Sequence, residues 1–137
     1  MSEKECIFCK IVENKIPAKI VHEDDQTIGF LDIFPISKGH TVVIPKKHYE
    51  DIISIEKEEF NNVMEVVKKL SSIIFNKIKP DGINILQNNK KAAGQVVKHF
   101  HVHIIPRNEG DDKLDVFTPE NQARDKELEK ILNLLKE

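Results

Sequence analysis

Three histidines alternate with apolar residues in the stretch from His99 to Ile105, whose sequence is HFHVHII. Alternate side chains of a strand share one face, so His99, His101 and His103 are predicted to point the same way. The apolar residues between them then face the core. Near neutral pH an imidazole can be a nucleophile, a proton donor or acceptor, or a metal ligand. The pattern predicts a site where several imidazoles act on one ligand; the alternative is a zinc held by two of the three.

The loop before the histidines adds groups suited to a phosphate. Gly94 leaves room for the backbone N–H groups of the following residues, including Val97, to approach an anion closely. Asn88 adds a neutral side-chain donor. A histidine strand beside such a loop favours phosphoryl chemistry over metal-dependent hydrolysis alone.

A second candidate feature is the Cys-x2-Cys pair, Cys6 and Cys9. The pair alone is consistent with a redox pair, half of a zinc site, or two small buried residues. A redox pair normally opens a helix after a strand in a thioredoxin-like unit, which nothing before Cys6 predicts. A closed zinc site needs four ligands, so two more would have to come from elsewhere in the chain.

Apolar spacing predicts the elements that position these groups. The helix from Ser54 to about Lys79 has one apolar face and Ser54 as its N-cap. Proline is expected to end the strands before Pro45 and Pro106. The other predicted elements are a short helix over 6–13, strands at 19–22, 27–31, 41–44, 83–86 and 96–105, and a C-terminal amphipathic helix. Strands joined by short turns around one long helix predict an α+β fold with an antiparallel sheet of about five strands.

Length and composition limit the class of protein. The 137 residues fit one domain, with the motifs in 1–107 and a tail with a helix in 108–137. A net charge of -2 provides no basic field for nucleic acid, so a nucleotide must be bound by local groups. No apolar run reaches the roughly 20 residues of a membrane span, and the first ten residues lack a signal-peptide core. Two cysteines without a secretory signal favour a reducing compartment, so a cytoplasmic location is expected.

The histidine segment resembles the signature of the histidine-triad family, His-φ-His-φ-His-φ-φ with φ apolar, at every position. The similarity extends from the Cys6–Cys9 pair to about Arg107 and includes the segments 30–32, 39–41, 44–48 and 94–95. The resemblance implies a homodimer whose two sheets join into one. It also implies nucleoside phosphoramidates, aminoacyl adenylates or dinucleoside polyphosphates as substrates.

The resemblance further implies a role for each matching residue. His101 would attack the α-phosphorus and form a covalent nucleotidyl-histidine, which water then hydrolyses. His103 would contact the phosphate oxygens and assist the leaving group. The implied substrate contacts are Asn88, Gly94, Gln95 and the N–H of Val97 for the phosphate or leaving group, Asp32 for the ribose, and Ile7, Phe8 and Phe30 for the base. On spacing alone, Asp32 is equally well a carboxylate that starts the loop before Pro35.

In a zinc-bearing branch of the family, the cysteine pair is completed by the residues matching His48 and His99. The implied Cys2His2 set would hold one structural zinc per chain; the alternative is reduced, unligated thiols. His40 is expected to be a buried residue that supports the site by hydrogen bonding. Val96 departs from relatives with a hydroxyl residue there, which leaves the preferred leaving group open.

Three functions of different kinds remain open on the sequence. The first is hydrolysis or transfer at the α-phosphate of adenosine nucleotides, with dinucleoside polyphosphates as alternative substrates. The second is a metallohydrolase with zinc on His101 and His103. The third is a nucleotide-binding scaffold whose slow hydrolysis is incidental.

Overall fold

The computed structural model describes residues 5–114 and 118–136. The strands are β1 (Ile20–Glu23), β2 (Thr27–Leu31), β3 (Thr41–Pro45), β4 (Gly82–Leu86) and β5 (Val102–Arg107). The helices are α1 (Ile7–Val12), α2 (Lys57–Ile78) and α3 (Asp125–Leu135), and a short 3-10 turn spans Lys91–Ala93. The parts of the sequence-based assignments that fall on 1–4, 115–117 and 137 lie outside the described residues.

The five strands form one sheet in the order β1-β2-β3-β5-β4, and every neighbouring pair is antiparallel. The predicted α+β class and the five-stranded antiparallel sheet are therefore confirmed. β5 lies inside the sheet, where His103 pairs with Val42 of β3 on one side and Leu86 of β4 on the other. This central placement fixes the position of His103 from both sides.

Each face of the sheet carries its own apolar core. On one face, α2 packs Val63, Val67 and Leu70 against Phe100, Val102 and Ile104. On the other face, Ile11 of α1 packs with residues of β2 and β3: Ile28, Phe30, Val42 and Ile44. The alternation predicted for the histidine segment thus holds, since its apolar members face α2.

The strand predicted over 96–105 is wrong at its N-terminal end. β5 begins only at Val102, and residues 96–101 pair with no strand. Phe100 instead donates its N–H to the carbonyl of Tyr49, over 2.6 Å. These residues run beside the segment after β3, so they keep the alternation of side chains without joining the sheet.

Pro106 does not end β5, contrary to the prediction. Its carbonyl accepts a hydrogen bond from Ser37 Oγ at 2.6 Å, and Ser37 lies in the loop before β3. The nitrogen and carbonyl of one strand residue point to the same side. The missing N–H of Pro106 therefore faces that loop, beyond the start of β3, where no ladder partner is required. Pro45 likewise belongs to β3, as its last residue, instead of ending the strand before itself.

The helix predicted from Ser54 begins later, at Lys57, and Glu56 is its N-cap without a side-chain hydrogen bond. Ser54 belongs to the preceding turn, where Asp51 Oδ1 accepts its N–H. The predicted apolar face is confirmed, because α2 buries Val63, Val66, Val67, Leu70 and Ile74.

The predicted C-terminal helix is present as α3. It lies on the surface, and its large apolar side chains, Leu128, Ile131, Leu132, Leu134 and Leu135, are each at least 44% exposed. Within the described ranges, no helix combines the length and apolar character that crossing a membrane requires.

Candidate active site and metal centre

A cavity of about 400 Å³ lies on the sheet face opposite α2. Its side-chain polar groups are those of His101, His103 and Asp32, and the loop residues Gly94, Val96 and Val97 also line it. The rest of the lining is apolar and includes Ile7, Phe8, Ile11, Phe30, Leu31 and Val42. A mostly apolar cavity with a few convergent polar groups suits a ligand with one apolar and one charged part.

His101 is held by the main chain. Its Nδ1 lies 2.7 Å from the carbonyl oxygen of His99, to which only a protonated Nδ1 can donate. Burial lowers the pKa of His101, against the opposing effect of this hydrogen bond. The ring is therefore neutral near pH 7, and its Nε2 carries a free lone pair.

His103 is oriented by a short chain of hydrogen bonds. The N–H of Ile36 donates to Nδ1 of His40 at 3.0 Å, so the proton of neutral His40 is on Nε2. That Nε2 lies 2.9 Å from His103 Nδ1 and donates to it. His103 must then carry its own proton on Nε2. Burial, with the neighbouring His101 and His40, lowers the pKa of His103 to about 4, so it acts as a neutral N–H donor.

His40 itself is 3% exposed, which agrees with the supporting role expected for it. Burial lowers its pKa, and the charge of Asp32 opposes the shift. Because the pKa is lowered, His40 keeps the neutral form on which the hydrogen-bond chain depends.

Asp32 lies at the start of the loop before Pro35 and also lines the cavity. Its Oδ1 accepts the N–H of Phe34 at 2.8 Å, which is the role of a carboxylate at the start of a loop. Its Oδ2 lies 3.5 Å from His40 Nε2. The carboxylate can therefore accept a hydrogen bond from a group inside the cavity.

The loop residues divide into those that line the cavity and those that shape it. Gly94 has φ +91°, and a Cβ added there would lie 3.6 Å from Asn88 Nδ2, so Asn88 lies beside the loop. Gln95 is 7% exposed and does not line the cavity. Its amide donates to the carbonyls of Glu50 and Val97 and accepts the N–H of Lys90. The direct substrate contact expected of Gln95 therefore does not fit its side chain, which is used inside the loop.

Cys6, Cys9, His48 and His99 lie together, with one donor atom of each within 4.8 Å of all the others. Nδ1 of His99 is 3.3 Å from Cys6 Sγ and 3.5 Å from Cys9 Sγ, and His48 Nδ1 is 3.3 Å from Cys9 Sγ. Ligand atoms on one tetrahedral zinc are roughly 3.3 to 3.8 Å apart, given bonds of about 2.0 to 2.3 Å. The four residues implied by the resemblance thus form a cluster of the right composition and size for zinc.

The tautomer of His99 also suits a metal. Its Nε2 donates to the carbonyl of Pro45 at 2.8 Å, which leaves Nδ1, the atom facing both thiols, without a proton. Burial lowers the pKa of His99 to about 4, so this nitrogen stays available as a ligand.

A second group of metal-ligating residue types, Asp32, His40 and His103, also lies within 4.8 Å. Here the two imidazole nitrogens are only 2.9 Å apart. That is a hydrogen-bond distance, shorter than the roughly 3.3 Å between two nitrogens on one zinc. The alternative in which His101 and His103 share a zinc does not fit either, because Nδ1 of His103 accepts a hydrogen bond from His40 and its Nε2 carries a proton, which leaves His103 no lone pair for a metal.

Sequence reasoning missed the contribution of the segment after β3. Glu50 and Asp51 both contact the loop that lines the cavity, Glu50 through Gln95 and Asp51 through Lys90. Lys90 has φ +74°, and a lysine in a sequence gives no sign of that conformation. No signal in the sequence could therefore have identified the conformation of Lys90.

Comparison with known proteins places these features in a family. The model of the HIT domain matches residues 13–110. An uncharacterised HIT-like protein of Methanocaldococcus jannaschii is 45% identical over 131 residues, which cover 96% of this chain and 98% of that relative. The adenosine 5'-monophosphoramidase of Candida albicans is 37% identical, over 99% of this chain and 92% of the relative.

Solved structures agree with the fold. A HIT family protein of Bacillus subtilis superposes with a TM-score of 0.90 at 37% identity, covering 96% of this chain and 94% of that one. A Zn-bound histidine triad family protein of Mycobacterium smegmatis has a TM-score of 0.78 at 36% identity, covering 87% and 86%.

Proposed function

The chain belongs to the HIT domain family, and we propose that it hydrolyses adenosine nucleotides at the α-phosphorus through a covalent intermediate on His101. The observation that carries the proposal is the pairing of tautomers in the cavity. His101 offers a lone pair on Nε2, and His103 offers a proton on its own Nε2. A neutral imidazole can attack phosphorus at pH 7 without first losing a proton.

In the first step of the proposed reaction, Nε2 of His101 attacks the α-phosphorus and forms a phosphorus–nitrogen bond. The bond to the leaving group breaks with its electron pair, and a leaving amine takes up a proton from solvent. In the second step water attacks phosphorus, the bond to Nε2 breaks, and AMP is released. The proton that water loses balances the one that the amine gained.

The other groups bind substrate and stabilise the transition state. The Nε2–H of His103 and the N–H of Val97 would meet charge developing on the phosphoryl oxygens. The N–H of Gly94 donates to the carbonyl of Lys91, so Gly94 would contribute the room for a phosphate that a side chain would fill. Asn88 lies beside that loop and would add a neutral donor. Asp32 would accept a hydrogen bond from a ribose hydroxyl through Oδ2.

The apolar side chains Ile7, Phe8 and Phe30 would hold the base. We propose a nucleoside phosphoramidate as the substrate class, supported by the similarity to the Candida albicans adenosine 5'-monophosphoramidase over nearly the whole chain.

We also propose that Cys6, Cys9, His48 and His99 hold one structural zinc. Its support is the donor geometry and the Zn-bound family member of Mycobacterium smegmatis. With four protein ligands no position stays open for water, so the ion would supply a cross-link and no reaction chemistry. That cross-link would join α1 to the end of β3 and to the histidine segment. The homodimer and the cytoplasmic location stay predictions.

Intact mass spectrometry tests the covalent route. The His103→Ala variant, mixed with adenosine 5'-phosphoramidate, is expected to gain one AMP unit, because attack remains and hydrolysis of the intermediate is slowed. The variant that also carries His101→Asn is expected to gain nothing. Absence of an adduct while the wild type turns over would reject the nucleotidyl-histidine. Binding of AMP without turnover by the wild type would support the scaffold alternative.

A further inference from the structure

Lys90 has a backbone conformation that lysine rarely adopts. Its φ of 74° and ψ of 158° lie in a region that is almost confined to glycine. Such a conformation costs free energy, so the surrounding contacts must hold it. Lys90 directly precedes the 3-10 turn, and Gly94 follows that turn. Lys90 therefore begins the loop that lines the cavity.

The side chain of Lys90 contacts a buried carboxylate. Asp51 is 1% exposed, and its Oδ2 lies 2.6 Å from Lys90 Nζ. The other oxygen, Oδ1, accepts the N–H groups of Ile53 and Ser54 at 3.0 and 3.1 Å. The Lys90 ammonium holds the pKa of Asp51 below its usual range, and Asp51 raises the pKa of Lys90. A buried carboxylate without a partner is costly, so this ion pair favours one position of Lys90.

The main chain of Lys90 closes the loop on itself. Its N–H donates to Gln95 Oε1 at 2.7 Å, and its carbonyl accepts the N–H groups of Ala93 and Gln95, both at 3.1 Å. The amide of Gln95 in turn donates to Glu50 at 2.6 Å and to Val97 at 3.1 Å. The position of Lys90 therefore determines where Gly94, Gln95 and Val97 lie.

One continuous segment, His48 to Asp51, contacts the cysteine–histidine cluster, the histidine segment and this loop. His48 belongs to the cysteine–histidine cluster, and the carbonyl of Tyr49 accepts the N–H of Phe100, next to His101. Glu50 and Asp51 hold the two ends of the loop through Gln95 and Lys90. One stretch of backbone thus sets the distance between the histidine segment and the loop.

We propose that Lys90 and Asp51 are positioning residues whose ion pair holds the strained backbone at Lys90, and so aims the N–H of Val97 at the reacting phosphate. The inference rests on the function proposed above. The base and ribose are bound elsewhere in the cavity. Loss of the ion pair should therefore lower kcat more than it raises KM, because misplaced donors stabilise the transition state less.

The first test compares kcat and KM for adenosine 5'-phosphoramidate. Asp51→Asn and Lys90→Met should each lower kcat about tenfold and change KM less than about threefold. Glycine adopts the conformation of Lys90 freely, so Lys90→Gly in the Asp51→Asn background should recover most of kcat. Lys91→Met is the matched control, because it removes the same charge from the same loop and Lys91 makes no ion pair with any described residue. It should behave as the wild type does.

The second test needs no turnover. Amide hydrogen exchange in the loop from Gly94 to Val97, without nucleotide, should be faster in Asp51→Asn and should return to the wild-type rate when Lys90→Gly is added. If Asp51→Asn does not fold, the measurement is repeated on Lys90→Met, which keeps the carboxylate and the N–H groups of Ile53 and Ser54 that its Oδ1 accepts. Equal exchange and equal kcat in Lys90→Met and the wild type would overturn the proposal, and so would the failure of Lys90→Gly to restore either quantity. A wild type without turnover but with the expected exchange pattern would reject the proposed function and retain the ion pair as the feature that holds the loop.

Discussion

His99 and His101 lie two residues apart on one face of the same segment, yet the fold holds them by opposite nitrogens. Nε2 of His99 donates to the carbonyl of Pro45, and its Nδ1 faces the thiols of Cys6 and Cys9. His101 donates from Nδ1 to the carbonyl of His99, and its Nε2 is left free. Both rings are buried and both have a lowered pKa.

The difference teaches that the position of one carbonyl decides what an imidazole can do. A ring held at Nε2 presents Nδ1, close to its own backbone, where neighbouring ligands can surround an ion. A ring held at Nδ1 presents the outer nitrogen, which can reach a substrate. Neither the residue type nor the degree of burial distinguishes the two roles.

The largest effect on turnover should follow from removing the free nitrogen of His101. His101→Asn is expected to lower kcat for adenosine 5'-phosphoramidate roughly 10⁴-fold or more, because the variant lacks the Nε2 lone pair that is proposed to attack phosphorus. Steady-state kinetics measures this. The zinc content and the unfolding temperature should stay near those of the wild type, and substantial remaining turnover would refute the role of His101.

A smaller effect on turnover is expected from removing one ligand of the cysteine–histidine cluster. Cys9→Ala should lose the zinc, measured by elemental analysis, and lower Tm by roughly 10 °C, because the cross-link of α1 to the sheet is lost. The fall in kcat should stay within about tenfold, since the carbonyl that orients His101 is unaffected. If the wild type purifies without metal and Cys9→Ala melts at the same temperature, the metal centre is rejected and the thiols are unligated.

The smallest effect concerns pH. Burial lowers the pKa of His101, and lowers that of His103 to about 4, so both rings bind a proton only at a pH below the usual range for histidine. Near neutral pH both rings therefore stay neutral, which is the form that the proposed reaction needs. The value of kcat/KM should therefore change less than about twofold between about pH 6 and 8 and fall as the pH approaches about 4. A profile with its acid limb centred near pH 6.5 would contradict this assignment.

Much of the fold could be predicted from the sequence because it follows from periodic burial. The spacing of Val63, Val67, Leu70 and Ile74 predicted the buried face of α2, and the alternation after His99 predicted which side chains face it. The boundaries were less predictable. Ser54 has the chemistry of an N-cap but serves the turn at Asp51, and Pro106 fits inside β5 because its nitrogen faces a loop instead of a strand.

For the site, the sequence indicated which residues to consider but not the protonation of their side chains. The alternation of histidines drew attention to His101 and His103, and the resemblance to the histidine-triad family added His48 and His99 to the cysteine pair. The sequence could not show which nitrogen of each ring is protonated, because that depends on carbonyls and N–H groups far away in the sequence, such as that of Ile36. It also could not place Lys90, whose conformation is set by a carboxylate 39 positions earlier.

The acceptors that hold His99 and His101 are both main-chain carbonyls, those of Pro45 and of His99 itself. Every amino acid carries such a carbonyl, so a change of side chain at either position leaves the acceptor in place. The orientation of His101 is thus insulated from point mutation of the residue that supplies it. In a descendant of this chain, replacement of His99 would remove a ligand of the proposed zinc and leave in place the carbonyl that orients the proposed nucleophile, so selection could discard the two proposed functions of the segment independently.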